Sequence, residues 1–405
     1  MKTSASISTL TRSAVLALML AAGPALAEKR YGPGVSDTEI KIGQTMPYSG
    51  PLSGIGTTGR AELAYFAKLN TEGGVNGRKI TLISLDDSYS PPKTVEQVRR
   101  LVEQEEVLAI FHPLGTPTNA AIHKYLNKKK VPHLFLGSGL ARWGDPKNYP
   151  WTMPGVPIYR TEARIYGRYL LSTRPDAKIG VLYQNDDAGK EGLSGLKEGL
   201  GSRAASMIVA EASYEVTDPT VDSQVITLKG SGADTLFVMA AVKAAAQALR
   251  KAPSIGWKPL TFLPGTSSSI EQVIKPAGPE NAIGVISTHY LKDSSDPRWK
   301  DDPGMKEYFA FMKKYFAEGD ALDILNVRGY TMAQLMVQVL KQCGDDLSRE
   351  NVMRQAASLK SVELPLLLPG VKVNTSSTDY YPIKQLQMMR FDGKRWALFG
   401  EILEQ

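Results

Sequence analysis

Short apolar runs that alternate with helical segments are the feature that most constrains the fold of this chain. Ile40–Met46 and Ile80–Leu85 are typical of buried strands, and each is followed by a segment whose flanking Gly or Pro residues and apolar spacing predict a helix. The pattern continues through Val107–Phe111 and Val131–Leu136, and a second series begins at Ile179. Such alternation indicates βαβ units and mostly parallel sheets. The sequence therefore predicts an α/β fold with two Rossmann-like lobes.

A proline-rich segment separates the two series. Residues 145–157 contain four prolines, which exclude a regular helix or a central strand and indicate a crossing between lobes. We predict that residues 28–153 and 285–360 form one lobe, and that residues 154–284 and 361–405 form the other. Ligands of such sheets bind outside the carboxyl ends of the strands, so a cleft between the lobes is the expected binding position.

Residues 1–27 have the composition of an export signal. Lys2 and Arg12 accompany a short apolar core, Ala14–Ala22, and Ala25–Ala27 offers small residues for a signal peptidase. The core is shorter than the about 20 residues that a membrane-spanning helix needs. We predict cleavage before Glu28 and a soluble periplasmic protein.

Charge and cysteine content narrow the classes of function. The formal net charge is +7, and the densest basic run, Lys128–Lys130, suits a solvated helix end rather than a nucleic-acid groove. Cys343 is the single cysteine, so no intramolecular disulfide is possible. Neither Gly-x-Ser-x-Gly nor His-Glu-x-x-His occurs, and the histidines are dispersed in sequence. We predict no metal, no cofactor, no nucleic-acid partner and no catalysis.

A dinucleotide site is the strongest enzymatic alternative. Gly54–Gly59 spells G-x-G-x-x-G before a helix, and Asp86 and Asp87 end the next strand. The fingerprint requires its first glycine at the end of the strand, whereas Gly54 lies well beyond Met46. The spacing therefore favours a binding protein over a dehydrogenase.

Four segments carry a resemblance to a known family. They are Ile42–Pro51, Asn70–Arg78, Leu85–Lys93 and Asn185–Gly192. These segments resemble type I periplasmic solute-binding proteins of ABC importers, specifically the branched-chain amino-acid (leucine/isoleucine/valine) binding group. The resemblance implies a monomeric Venus-flytrap with three crossings between lobes, which closes on a small solute and delivers it to an ABC permease in the inner membrane.

The resemblance also selects candidate ligand-binding residues. In the family, the loops that correspond to Leu114–Asn119 and Gly137–Gly139 hold the ligand's carboxylate and part of its ammonium. Free N–H groups at a helix start suit an anion, and glycines allow close backbone approach. Arg160 and Lys243 are candidate counter-charges, and Trp143 is a possible aromatic wall. The full set of candidates is Tyr48, Ile55, Leu114, Gly115, Thr116, Ser138, Gly139, Leu140, Tyr159, Arg160, Lys243 and Thr266.

Three departures from the family bear on the ligand. The hydroxyl and the acid that bind the ammonium in the family fall on Leu140 and Thr266, and a further acid falls on Pro157. An unpaired buried ammonium costs several kcal/mol. We therefore hypothesise a ligand with an anionic group and no α-ammonium, such as an aliphatic or aromatic carboxylate. Two alternatives stay open, namely branched-chain amino-acid binding proper and a sensor module that presents its ligand to a membrane receptor.

Overall fold

The computed structural model describes residues 29–404, so the predicted export signal at residues 1–27 lies outside the described residues. The strands are β1 (Arg30–Tyr31), β2 (Glu39–Met46), β3 (Lys79–Asp86), β4 (Ile110–Phe111), β5 (His133–Leu136), β6 (Thr152–Pro154), β7 (Ile179–Gln184), β8 (Ile208–Tyr214), β9 (Thr235–Met239), β10 (Leu260–Phe262), β11 (Ile286–His289), β12 (Asp346–Leu347), β13 (Gln385–Phe391) and β14 (Trp396–Glu404). The helices are α1 (Thr57–Thr71), α2 (Pro91–Glu103), α3 (Thr116–Lys129), α4 (Tyr159–Thr173), α5 (Asp187–Leu200), α6 (Ala204–Met207), α7 (Asp222–Gly230), α8 (Val242–Ser254), α9 (Lys275–Ala277), α10 (Pro303–Tyr315), α11 (Ile324–Cys343) and α12 (Arg349–Ala356). Within residues 29–404, no helix has the length and apolarity needed to cross a membrane.

The first lobe is built on a five-stranded parallel sheet with the order β3-β2-β4-β5-β6. Helices α1 to α3 and α10 to α12 belong to this lobe, since α1 packs against β3, α10 and α11. Strand β6 lies at the edge and ends in Pro154, a position where the missing N–H costs no ladder bond. The proline-rich segment therefore contains an edge strand, and the crossing itself is confined to the residues between β6 and α4.

The second lobe is built on a seven-stranded sheet with the order β14-β13-β11-β10-β9-β7-β8. Strands β7 to β11 run parallel, and the hairpin of β13 and β14 adds antiparallel to β11. The chain crosses between the sheets after β6, after β11 and again before β13. The predicted α/β fold of two lobes with mostly parallel sheets and three crossings is confirmed.

The predicted lobe boundaries need correction after residue 284. Strand β11 was placed in the first lobe, but Ile286 pairs with Phe262 of β10, and β11 is fully buried in the second sheet. The segment 361–384 was placed in the second lobe. It packs instead on the end of α12, because the Thr375 hydroxyl donates to Ala356 O and Val362 pairs with Val373. A burial pattern predicts these elements, but it does not say which sheet receives them.

Helices α4 and α5 touch at their backbones along a row of glycines, Gly167, Gly195 and Gly199. A Cβ on Gly195 would lie 2.2 Å from the carbonyl oxygen of Arg160, and one on Gly199 would lie 2.4 Å from that of Arg164. No real Cβ tolerates such distances, so glycine is required for this crossing. We call these three residues the glycine seam. The seam fixes both helix starts, which face the space between the lobes.

A second close contact positions helix α11 against α1. A Cβ on Gly329 would lie 2.5 Å from the carbonyl oxygen of Thr58, and Tyr330 packs edge-on against Tyr65 at a centroid distance of 5.0 Å. The residue before this contact, Arg328, is consequently carried to the interface between the lobes.

Candidate functional site

A cavity lies between the lobes, at the carboxyl ends of strands from both sheets, and its empty space is about 700 Å³ when the open solvent at its mouth is included. This is the position expected for a ligand site in an open α/β sheet. Both lobes contribute to its lining, which consists of Leu52, Ile55, Tyr89, His112, Leu114, Gly115, Thr116, Gly137, Val156, Tyr159, Gln184, Asp186, Ala188, Met239, Ala240, Ala241, Val242, Thr266, Ser267 and Arg328.

Half of the predicted site residues line this cavity. They are Ile55, Leu114, Gly115, Thr116, Tyr159 and Thr266. Thr116 is the first residue of helix α3, and Gly115, with a φ of 101°, is the cap residue before it. The Thr116 hydroxyl hydrogen-bonds the Ser138 hydroxyl at 2.7 Å.

The loop after β5 supplies less of the lining than predicted. Ser138 lies behind the wall, where it joins Thr116 and accepts a hydrogen bond from Trp143 Nε1 at 2.9 Å. Gly139 faces Tyr159, whose ring would lie 2.9 Å from a Cβ there. Leu140 packs with Trp143 in a small separate core. These residues support the wall and do not line the cavity.

The remaining predicted residues lie away from the cavity. Tyr48 is held by a 2.6 Å hydrogen bond between its hydroxyl and Ser84. Arg160 pairs with Glu198 on the exposed side of α4, because adjacent helical residues point about 100° apart and Tyr159 takes the inward direction. Lys243 lines a separate surface depression, while its neighbour Val242 lines the cavity. Neither predicted counter-charge reaches the site.

The arginine that lines the cavity is Arg328, which no sequence motif predicts as a site residue. Its side chain is 5% exposed, and its Nε has no hydrogen-bond partner among residues 29–404. The Nη2 of Arg328 donates a hydrogen bond to the Gly265 carbonyl oxygen at 3.4 Å. Glu162, whose charge acts on Arg328, accepts instead from Tyr166, Thr288 and the Gly265 N–H, and burial raises its pKa. The guanidinium, which lines the cavity, therefore has more donors than its described neighbours have acceptors for them.

The cavity also has one acid, Asp186, at the start of α5. Its Oδ1 accepts from Gly189 N at 3.0 Å as a helix cap, and its Oδ2 accepts from Gln184 Nε2 at 2.7 Å. Burial raises the pKa of Asp186. Both oxygens are engaged in local structure. Asp186 and Gln184 lie at the end of β7, so the strand-end rule applied to the second lobe would have selected them.

The glycine pattern of the dinucleotide alternative has a packing explanation. A Cβ on Gly56 would lie 2.8 Å from the Pro47 carbonyl oxygen, and a Cβ on Gly59 would lie 2.5 Å from the Tyr48 hydroxyl. These glycines let the start of α1 approach the end of β2. Within residues 29–404, no group of three or more His, Cys, Asp or Glu side chains could hold a metal ion.

Comparisons with known proteins agree with this architecture. The sequence matches the family model described as "Periplasmic binding protein" over residues 39–395. The Leu/Ile/Val-binding protein homolog 7 of Brucella abortus (strain 2308) is 24% identical over 352 residues, which cover 84% of this chain and 85% of that protein.

Solved structures show the same fold at lower identity. A branched chain amino acid ABC transporter protein from Thermus thermophilus with bound valine has a TM-score of 0.81 and 15% identity, and the match covers 92% of this chain and 98% of that chain. A solute binding protein of an ABC transporter from R. palustris, in complex with benzoate, has a TM-score of 0.74 and 19% identity over 91% of this chain and 98% of that chain. The family model spans nearly all of the described residues, and this chain belongs to the periplasmic binding protein family.

Proposed function

We propose that this protein captures a small organic carboxylate without an α-ammonium between its lobes in the periplasm, and presents it unchanged to an ABC permease. The observation that carries the proposal is the guanidinium of Arg328, buried in the cavity wall with unused donors. A buried cation is costly unless an anion pairs with it. A carboxylate offers two oxygens that match the guanidinium fork.

The rest of the lining suits the apolar body of such an acid. Leu52, Ile55, Leu114, Val156 and Met239 supply aliphatic surface from both lobes. Burying an apolar body contributes about 25 cal/mol per Å² of area removed from water. The closed arrangement of the lobes would thus be stabilised by ligand, which shifts the open and closed populations toward closure.

A screen by thermal unfolding tests the proposal. We expect benzoate, phenylacetate, isovalerate or octanoate to raise the Tm by about 3 °C or more at 100-fold excess over Kd, since that excess adds about 2.7 kcal/mol to the stability of the folded state. Calorimetry then measures Kd for each acid that acts. Stabilisation by leucine and valine, without stabilisation by any of the four acids, would contradict the proposal.

The acid Asp186 distinguishes a simple carboxylate from an amino acid as ligand. Thr266 lines the cavity, whereas Leu140 and Pro157 do not, so the missing ammonium partners alone do not decide the question. We expect Asp186→Asn to leave carboxylate affinity unchanged or up to about threefold higher, because the amide oxygen can still cap α5 while a like charge near the anion is removed. Calorimetry with the same acid measures the ratio of Kd values. A tenfold or larger loss for an amino acid would instead identify Asp186 as an ammonium partner.

A further inference from the structure

A histidine with an unused ring nitrogen forms part of the cavity wall. His112 follows strand β4, is fully buried, and has a φ of 46°, an uncommon conformation for a residue other than glycine. Its Nδ1 hydrogen-bonds Glu62, and its Nε2 has no partner among residues 29–404. A Cβ on Gly137 would lie 3.5 Å from Nε2, so glycine at this position, which also lines the cavity, places no side chain between the buried nitrogen and the cavity.

The partner of His112 is fixed on its far side. Glu62 of α1 is fully buried and accepts from Gln44 Nε2 through its second carboxylate oxygen. The amide orientation of Gln44 is set in turn, because its Oε1 accepts from the Ser84 hydroxyl at 2.8 Å. Tyr48, which follows β2, is the last member of this network, and its hydroxyl is hydrogen-bonded to the Ser84 hydroxyl. The histidine ring is therefore oriented by a buried network that ends at the cavity.

The charge of this pair follows from its burial. Removal from water raises the pKa of Glu62, and His112 is the first group that opposes this shift. The charged groups that line the same cavity are Arg328 from α11 and Asp186 from the start of α5, and Tyr89 and Tyr159 are the lining tyrosines. A net negative pair without water costs more than a neutral pair, whether the neutral pair is imidazolium with carboxylate or imidazole with carboxylic acid.

Both neutral arrangements place a proton on Nε2. Imidazolium has a proton on each nitrogen, and a carboxylic acid that donates to Nδ1 leaves the single ring proton on Nε2. In the negative pair, by contrast, Nδ1–H donates to the carboxylate and Nε2 becomes an acceptor. The protonation of this pair therefore decides whether the cavity presents a second donor beside Arg328 or an acceptor that repels an anion.

We propose that His112 Nε2–H donates a hydrogen bond to the bound organic anion, and that Glu62 is the positioning residue that keeps the proton on that nitrogen. The inference rests on the proposed function and deepens it, since it makes anion capture dependent on a buried proton. An anion therefore stabilises the arrangement in which Nε2 carries the proton, and removal of that proton weakens binding.

The first experiment needs no ligand. Two-bond ¹⁵N–¹H spectra of the full protein labelled at histidine, with His112→Gln to assign the signal, report which ring nitrogen carries a proton. We expect Nε2 of His112 to be protonated at pH 6 in the ligand-free protein. A signal characteristic of an unprotonated Nε2 of His112 at pH 6 would overturn the inference, even if the protein binds acids well.

The second experiment measures Kd for benzoate, phenylacetate, isovalerate and octanoate by calorimetry at pH 6 and pH 9, where all four stay ionised. We expect Glu62→Gln, which mimics the protonated acid and can still donate to Nδ1, to match wild type at pH 6 and to bind more tightly than wild type at pH 9. His112→Gln should lose about 10- to 100-fold at pH 6.

His133→Gln is the matched control. His133 is also fully buried, bonds Asn119 through Nε2 at 2.7 Å, and lies outside the cavity lining. Burial lowers its pKa to about 3, so it stays neutral across the measured range. This variant should keep the wild-type dependence on pH. Identical pH profiles for wild type and Glu62→Gln would overturn the role of Glu62, whereas failure of all four acids to bind wild type would overturn the proposed function.

Discussion

Arg328→Ala is expected to weaken carboxylate binding by about 100-fold or more. Removal of one partner from a buried, hydrogen-bonded charge pair costs about 2–5 kcal/mol, and each 1.4 kcal/mol is a factor of ten in Kd. The ligand-free variant should fold at least as stably as wild type, because a buried cation with an unpartnered Nε is removed. Calorimetry measures the loss of affinity, and thermal unfolding without ligand measures stability.

Arg160→Ala is the matched control for this prediction. Arg160 was the arginine that the sequence suggested, but it pairs with Glu198 at the surface. Exposed ion pairs contribute about 0–1 kcal/mol, so this variant should bind within about twofold of wild type. Arg328→Lys keeps the charge and loses the fork, and we expect an intermediate affinity. Binding by Arg328→Ala within threefold of wild type would refute the assignment of the anion to this guanidinium.

Gly195→Ala should reduce the free energy of unfolding by about 2–3 kcal/mol, although alanine is normally the better helix former by about 1 kcal/mol. The reversed sign is expected because the added Cβ would lie 2.2 Å from the Arg160 carbonyl oxygen, and the glycine seam would have to open. Urea unfolding followed by circular dichroism measures the change in midpoint.

Gly230→Ala tests whether this effect arises from the seam. Gly230 ends helix α7, and no heavy atom lies within 4 Å of the place of its Cβ. The same substitution should there be neutral or stabilising by about 0.4–1 kcal/mol. Equal midpoints for the two variants would mean that α4 and α5 can separate without cost, contrary to the packing described above.

The order of elements follows closely from the sequence, because burial periodicity is a local signal. Strands β2 (Glu39–Met46) and β3 (Lys79–Asp86) match the predicted runs Ile40–Met46 and Ile80–Leu85 to within one residue at each end. The resemblance to the family, and not the periodicity, selects Leu114, Gly115 and Thr116, which line the cavity. The positions of the strands need only the neighbours of a residue along the chain.

The site residues that were predicted wrongly or missed depend on contacts between distant segments of the chain. Arg328 is the fifth residue of the long buried helix α11, and the approach of Gly329 to Thr58 brings it to the cavity. Leu140 is displaced from the cavity because Trp143 and Tyr159 fill the space around the loop. The choice between Tyr159 and Arg160 depends on the rotation of α4, which the glycine seam sets. No pattern within a single segment reports these arrangements.

The placement of Arg328 and His112 on one lobe has a kinetic consequence. Both donors belong to the first lobe, on α11 and after β4, whereas the second lobe contributes the small and aliphatic residues Met239–Val242 and the polar side chains of Gln184, Asp186, Thr266 and Ser267. An arriving anion can thus dock with its charge satisfied while the lobes are still apart. Substitutions at the two donors should then act on the association rate, and substitutions after β9 on the residence time. Selectivity for the shape of the acid could change in the second lobe without any change in the recognition of its charge.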